Sequence, residues 1–476
     1  MKTFIPLLVL LLTGCAVGPD YHKPDVATPA AYKEAGDWKT AEPKDDAPRG
    51  NWWEIYGDAE LNGLVSQVEI SNQNVAAAAA QYRQALALLG VAQAGYYPTV
   101  SAGVTASRGR GTSTATTGTS TAVPGAPVMN TIRPSLTASW EPDIWGQIRR
   151  NVESNQATAQ ASKADLQSAL LSAQGTLVQS YFQLRINDEE QRLLGQSLSA
   201  YERSLQITRN RYQAGVAGRV DVAEAETQLK TTQAQAIDLG VQRAQLEHAI
   251  AVLIGKAPAD FHIDPANGLP SLPTVPAELP SALLERRPDI AGAERRMAAA
   301  NAGIGVAQGA FFPALTLTGT GGFQNSSLSQ LLTLPNRFWS VGASAAMTVF
   351  DAGAHSAQKE SAVAAYDQSV ASYRQTVLAA FQEVEDNLAA LRQLTEEAAA
   401  QQSATQSATE ALTLTENQYK AGTVSYLNVI ILNATALNAQ QSSLNIAGRR
   451  LLANAALVTA LGGNWQPDAK EPESAK

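Results

Sequence analysis

Apolar residues recur every seven positions over two long stretches of the chain. Positions 170, 177, 184, 191, 198, 205 and 212 carry Leu, Leu, Leu, Gln, Leu, Leu and Tyr. Val363, Val370, Val377, Val384, Leu391, Ala398, Thr405, Leu412 and Tyr419 repeat the pattern. A sustained seven-residue period predicts helices packed as in coiled coils, here over about residues 147–213 and 354–420. At 1.5 Å per residue, 67 residues make a rod of roughly 100 Å, longer than a compact core accommodates. After Gly215 the heptads resume at Val222, Leu229, Ala236 with Leu239, Leu246 and Leu253, predicting a helix over about 219–254; its counterpart covers about 424–462. Ala-rich segments at about 72–95 and 289–310 complete the helical prediction, and Asp58 is a plausible N-cap upstream.

Four other segments alternate with period two. Val100, Ala102, Val104 and Ala106 interleave with Ser101, Gly103, Thr105 and Ser107; Leu136, Ala138 and Trp140 interleave with Ser135, Thr137 and Ser139. Leu315 and Leu317 alternate with Thr316 and Thr318, and Val341, Ala343, Ala345 and Met347 with Gly342 and Ser344. Such segments predict strands with one apolar and one small polar face, at about 99–108, 131–141, 313–323 and 338–350. About ten residues is the length of a tilted membrane strand. The strands form two hairpins, closed by a Gly/Ser/Thr-rich loop at 108–131 and a shorter one at 324–337.

The two halves are copies. Tyr212, Ala214, Gly215, Asp221 and Val222 match Tyr419, Ala421, Gly422, Asn428 and Val429 at an offset of 207. Tyr97-Pro98 matches Phe312-Pro313 at an offset of 215. A fixed offset marks a tandem duplication, with repeat 1 at 58–256, a Pro-rich linker at 257–288 and repeat 2 at 289–463. A lipid-facing sheet leaves no edge open, because unpaired backbone groups in hydrocarbon are costly. Four strands do not close a barrel. Two chains supply eight strands around a filled interior; three supply twelve with room for a lumen, together with twelve helical rods, so that each strand continues into a helical wall, which favours three. The fold class expected is therefore mainly α with a membrane β-barrel part, as a homotrimer.

Composition adds an address. Residues 1–14 read as a signal peptide: Lys2, the short apolar run Pro6–Leu12, then Leu12-Thr13-Gly14-Cys15, which fits a bacterial lipobox. Cys15 is the only cysteine, so intramolecular disulfides are excluded and lipidation at Cys15 is expected. Residue 16 is Ala rather than Asp, which resembles outer-membrane sorting. Residues 15–57 read as a lipidated arm rich in Pro and aromatics, and 464–476 as a disordered polar tail. A formal charge of −8, with 16% charged residues, gives nucleic-acid binding no electrostatic support.

Several short runs carry a resemblance. Leu284-Glu285-Arg286-Arg287-Pro288-Asp289-Ile290 leads through a helix to Phe312-Pro313-Ala314; Trp140-Glu141-Pro142-Asp143-Ile144-Trp145-Gly146 leads into Arg149; Gly18-Pro19-Asp20-Tyr21 and Trp52-Trp53 follow the lipobox. Together they resemble the TolC/OprM-like outer membrane factors of the NodT-type lipoprotein subgroup, over essentially the whole chain after the leader. The resemblance implies a trimeric twelve-strand outer-membrane barrel continued by a twelve-helix periplasmic tunnel. It also implies a periplasmic membrane-fusion adaptor and an inner-membrane transporter of the resistance-nodulation-division class, or of the ABC or major-facilitator type. In such a channel the two helix turns receive the adaptor, which assigns docking to Tyr212, Gly215, Arg219, Asp221, Tyr419, Gly422 and Val424. Asp221 and Tyr419 resemble an inter-helix hydrogen-bonded latch; the plainer reading of Asp221 is a favourable acid at a helix N-terminus. Many relatives carry an acidic ring in the second turn helix. This chain has Asn428 and Ile431 there, with Leu427 beside them, so an apolar pore constriction is expected.

Enzymatic motifs are missing. The chain has no phosphate-binding Gly-rich loop ending in Lys-Ser/Thr and no His-Glu-x-x-His. His22, His248, His262 and His355 are scattered, so no metal or other cofactor is expected beyond the covalent lipid at Cys15. The function expected is passive conduction of small molecules such as drugs from an inner-membrane pump to the exterior. Protein or peptide secretion with an ABC exporter is the alternative, as is metal efflux, although Met1, Met129, Met297 and Met347 form no cluster.

Overall fold

The computed structural model describes residues 17–24, 29, 32–33, 51–110, 128–273 and 287–463. The leader, Cys15, most of the arm, the centre of the first hairpin loop, residues 274–286 of the Pro-rich linker with Leu284-Glu285-Arg286 among them, and the tail lie outside the described residues.

In chain order the elements are α1 (Ala59–Ser71), α2 (Gln73–Ala94), β1 (Thr99–Arg110), β2 (Val128–Trp140), α3 (Gln147–Gln213), α4 (Arg219–Leu253), α5 (Pro288–Gly309), β3 (Ala314–Phe323), β4 (Arg337–Ala346), α6 (Ala354–Lys420) and α7 (Tyr426–Ala460). The duplication holds residue for residue: α3 and α6 are each 67 residues long, and α4 and α7 each 35. No described helix is long and apolar enough to cross a membrane.

Some boundaries differ from the periodicity reading, each for a local reason. A separate α1 precedes α2, and Asn72 makes the break. Its backbone is extended (φ −67°, ψ 123°). Its side-chain oxygen accepts from the amides of Asn74 and Val75 at 2.9 and 3.1 Å, capping α2, and its amide nitrogen donates to the Leu253 carbonyl at 2.7 Å. β1 and β2 run on to Arg110 and from Val128, because both keep a partner that far. β4 stops at Ala346 instead of 350, because its partner β3 begins at Ala314; Pro313, the next residue upstream, has no N–H to offer. α7 starts at Tyr426 rather than 424, Thr423 to Ser425 being spent on the turn.

The chain divides into two compact units. One holds the sheet, within Arg83–Gln160 and Glu294–Ala371, together with the arm residues up to Pro24. Its four strands form an antiparallel meander in the order β1-β2-β3-β4. The register aligns Ser101 with Thr137, Thr137 with Thr320, and Thr320 with Ser340, a row of hydroxyls across one face. The opposite face carries Val100, Val104, Leu136, Trp339 and Val341, each at least 58% exposed. Below the sheet Trp145 donates to the Pro313 carbonyl at 2.8 Å and stacks on Phe312. The Gly18-Pro19-Asp20-Tyr21 segment is held by buried Arg150, whose guanidinium donates to the carbonyls of Val17 and Gly18 and, at 2.8 Å, to Asp20. That bond keeps the Asp20 carboxyl below the usual carboxylate range.

The other unit holds the main apolar core. Trp52, Trp53 and Tyr56 pack with Leu61, Val65 and Val68 of α1, Leu177, Tyr181, Phe182 and Leu184 of α3, Ile250 of α4 and Leu451 of α7. A buried charge network borders it. Arg185 contacts Glu60 and donates to Asp188 at 3.0 Å and to the Asp264 carbonyl at 2.9 Å. Arg243 donates to the other oxygen of Asp188 at 2.8 Å and to the Ile263 carbonyl at 2.6 Å, while Glu247 accepts the Ile263 amide at 2.6 Å. Side chains on α3 and α4 thereby satisfy the backbone of the irregular segment after α4. In the Arg287-Pro288-Asp289 run, Arg287 forks onto Asp289 (2.7 and 3.0 Å), reaches Glu383 at 2.6 Å and donates to the Ala460 carbonyl at 3.0 Å.

Asp188→Asn leaves the buried Arg185 and the half-buried Arg243 without their shared carboxylate. Breaking such a pair costs about 3 kcal/mol or more. The midpoint of thermal unfolding in detergent, followed by helical circular dichroism, is expected to fall; an unchanged midpoint refutes the network's role.

Candidate functional site

The two helix turns are built alike. In the first, the Gly215 amide donates to the Tyr212 carbonyl and the Val216 amide to the Arg211 carbonyl, both at 2.9 Å. In the second, Gly422 donates to Tyr419 and Thr423 to Gln418, both at 3.0 Å. These paired bonds are Schellman motifs, which need a left-handed residue after the helix. Gly215 and Gly422 supply it, at φ 74° and 79°. Nothing lies within 4 Å of a Cβ built at either position, so backbone conformation rather than packing requires glycine there.

The turns differ in how the next helix starts. The Asp221 carboxylate accepts the Gly218 amide at 3.0 Å, closing the first turn of α4. At the start of α7, Ser425 makes no side-chain cap bond, and the Asn428 amide donates to the Ser425 carbonyl at 3.2 Å.

One cluster joins all four helices. Leu205, Ala225, Tyr419, Tyr426 and Val429 are buried together, with Val222, Leu229, Val424 and Ile430 packed at the edge. The Tyr419 and Tyr426 rings lie 5.3 Å apart, and the Tyr426 hydroxyl bonds Ser204 Oγ at 2.8 Å. Burial pushes the Tyr426 phenol above its ordinary value. Arg211 lies over the Tyr419 ring at 4.5 Å and donates to its carbonyl at 3.1 Å. Arg211 thus serves both turns: its carbonyl ends the first and its guanidinium grips the second.

The Asp221–Tyr419 latch is not formed within the chain. Asp221 is engaged in its own helix cap, and the Tyr419 hydroxyl is buried with no hydrogen-bond partner among the described residues. Arg211, Ser204 and Tyr426 make the cross-turn contacts instead. Their equivalents in the other copy are Gln418, Ala411 and Arg219, so a reading keyed to matched positions passes over them. The mismatch itself was the available signal.

Of the remaining sequence-identified residues, Tyr212 is 42% exposed although its equivalent Tyr419 is 8% exposed. Arg219 and Asn428 are exposed. Leu427 and Ile431 stand one turn apart on one face of α7, 48% and 52% exposed. Val216 and Val220 are exposed beside the first turn. Arg209 and Glu226 pair at 3.6 Å across α3 and α4, a surface contact of little energetic weight. Among the described residues no group of three or more His, Cys, Asp or Glu side chains could hold a metal ion.

Arg211→Met removes the cation–π contact and the bond to the Tyr419 carbonyl, together about 1.4 kcal/mol. Amide hydrogen exchange at Gly422 and Thr423 is expected to accelerate about tenfold. Unchanged exchange there refutes the grip.

The family model for outer membrane efflux proteins matches residues 64–256 and 279–463. The chain is 29% identical over 461 residues to the pyoverdine export outer membrane protein OpmQ of Pseudomonas aeruginosa, covering 96% of each. It is 30% identical over 479 residues to the solvent efflux pump outer membrane protein SrpC of Pseudomonas putida, covering 98% of each. The solved outer-membrane channel OprN superposes with a TM-score of 0.86 at 31% identity, over 95% of this chain and 100% of that one. The chain belongs to the outer membrane efflux protein family, as a TolC/OprM-like channel protein of the outer membrane and not an enzyme.

Proposed function

We propose that three copies form the outer-membrane channel of a tripartite efflux system, passing small molecules from an inner-membrane pump to the exterior. The observation that carries this reading is the sheet. β1 and β4 are each paired on one side only, and one face is apolar and exposed. Joining β4 of one copy to β1 of the next satisfies both edges, and three copies close a barrel of twelve strands. The apolar face then meets lipid, and the hydroxyl row of Ser101, Thr137, Thr320 and Ser340 lines a wet lumen. The α3/α4 and α6/α7 pairs of each copy supply the wall of a twelve-rod periplasmic tunnel, and acylated Cys15 anchors the arm in the membrane.

In this reading the helix turns are the periplasmic tip. Tyr212, Gly215, Arg219, Asp221, Tyr419, Gly422 and Val424 belong to the surface that receives a membrane-fusion adaptor. Asp221 acts there as a helix cap and Tyr419 as the ring gripped by Arg211, not as a latch pair. The adaptor links the channel to a resistance-nodulation-division transporter. Leu427, Asn428 and Ile431 form an apolar, uncharged constriction. The lumen face offers hydroxyls and glycines rather than a binding pocket, which favours a permissive conduit. Relatives named for pyoverdine and for solvents agree with selection by the pump.

A photo-reactive residue at Ala421, beside the second turn, tests the docking in cells. Capture of a periplasmic adaptor encoded with a resistance-nodulation-division pump is expected. An ABC-exporter adaptor moves the function to secretion, and no adaptor overturns the docking assignment. Divalent cations are expected to block single-channel conductance weakly, and Asn428→Asp with Ile431→Asp to strengthen that block about tenfold or more, as carboxylate rings do for cations. Strong block of the unmodified channel refutes the apolar constriction.

A further inference from the structure

Charge is distributed unevenly between the sheet and the rest of the chain. The two stretches Thr99–Trp140 and Ala314–Ala346 contain Arg108, Arg110, Arg133 and Arg337 and no acidic residue. The whole chain is −8, so the remainder carries −12. The strand register sorts these arginines by face. Arg108 pairs with Asn130 and Arg337 with Phe323, on the face of Val104 and Val341. Arg133 pairs with Thr105, in line with Ser135 and Thr137 on the hydroxyl face. Among the described strand residues it is the one charged side chain on that face.

Arg133 is also held in place. Its guanidinium lies 4.1 Å from the centroid of the Phe338 ring, well inside cation–π range. The two residues sit on β2 and β4, with β3 between them. Gly322 of β3 makes the span possible: it pairs with Ser135 on one side and Phe338 on the other. A Cβ at Gly322 would come within 2.2 Å of the Pro134 carbonyl oxygen and 3.1 Å of the Phe338 ring. Without a side chain there, the ring lies across β3 and the arginine rests on it. No carboxylate neutralises Arg133 among the described residues, so its charge faces the lumen side undiminished. The pair stands toward the loop ends of the strands, away from the ends that join the helices.

We propose that Arg133, seated on Phe338, is the charge selector of the barrel. Three copies place three guanidiniums around the outer part of the lumen and favour the exit of anionic over cationic solutes. This rests on the reading that the sheet closes with its hydroxyl face inward. The field of a wall charge reaches about 10 Å into 0.1 M salt but only about 3 Å into 1 M salt, so the selectivity is a low-salt property.

The full-length channel in planar bilayers tests this through its reversal potential under a KCl gradient. At about 0.1 M mean salt, Arg133→Gln is expected to lower the chloride-to-potassium permeability ratio by roughly twofold or more. Arg133→Lys is expected to retain most of it, and the difference between Gln and wild type to shrink at about 1 M. Phe338→Leu, which keeps the charge but removes its seat, is expected to fall between Gln and wild type. A conducting channel whose ratio is the same for wild type and Arg133→Gln overturns the selector. Thr137→Cys separates this from failure of the pore reading. Labelling it with a water-soluble charged thiol reagent lowers conductance if the hydroxyl face lines the lumen. If labelled Thr137→Cys conducts unchanged, the inward-facing sheet is wrong and the selector falls with it.

Discussion

Unpaired backbone is the constraint on which the rest depends. In water a sheet edge is solvated; in hydrocarbon each orphan N–H or C=O costs several kcal/mol. This chain has a four-strand meander with two unpaired edges and an exposed apolar face. No fold of one copy removes those edges without abandoning the alternation that fits the sheet to lipid. The helices add to the demand. Val91, Ile237, Val241, Leu378 and Leu414 are each at least 54% exposed on helical surfaces of the single chain. These residues lie off the heptad seam, whose Val377, Val384 and Leu391 are buried within the chain, and contacts between copies would cover them. Hydrogen bonding and side-chain burial thus make two separate demands, and the proposed trimer meets both.

Periodicity made most of this legible. A seven-residue repeat is a property of sequence order alone, so α3 and α6 could be located from the leucines and valines at their seam. The same holds for the hairpins, whose alternating faces need no tertiary information. The turns were visible because a Schellman motif has a local signature in glycine. What escaped depends on groups brought together across the chain. Nothing near Asn72 announces that its side chain will cap α2 while reaching the end of α4. The stop of β4 is set by where β3 begins, some thirty residues earlier. Asp221 was readable as a cap, and that local role is the one it takes; its pairing with Tyr419 rested on analogy, and Arg211 holds the position instead.

The duplication explains which features coincide and which diverge. Backbone-level requirements recur at an offset of 207: the 67-residue rods, the left-handed glycines, and Val222 and Val429, which pack in one cluster. These positions set lengths and turns, so a change in one copy would break the match between neighbouring rods. Chemistry appears where the copies disagree. Arg211 corresponds to Gln418, Asp221 to Asn428, and Arg219 to Tyr426. A duplicated chain in threefold assembly would otherwise have a nearly sixfold wall, with every contact repeated six times.

Arg133, in the sheet, follows the same rule. Its equivalent in the second copy is Ser340, and the equivalent of Phe338 is Thr131. The sheet therefore keeps its hydroxyl row intact in both hairpins while only one carries the guanidinium and only the other carries its aromatic seat. Neither hairpin alone could hold the pair. A residue that acts through charge need only occur once per chain to be presented three times by the proposed trimer, whereas a residue that sets backbone geometry must occur in both copies. Divergence between the repeats is thus free to adjust electrostatics and turn-to-turn contacts without disturbing the lengths on which closure of the ring depends.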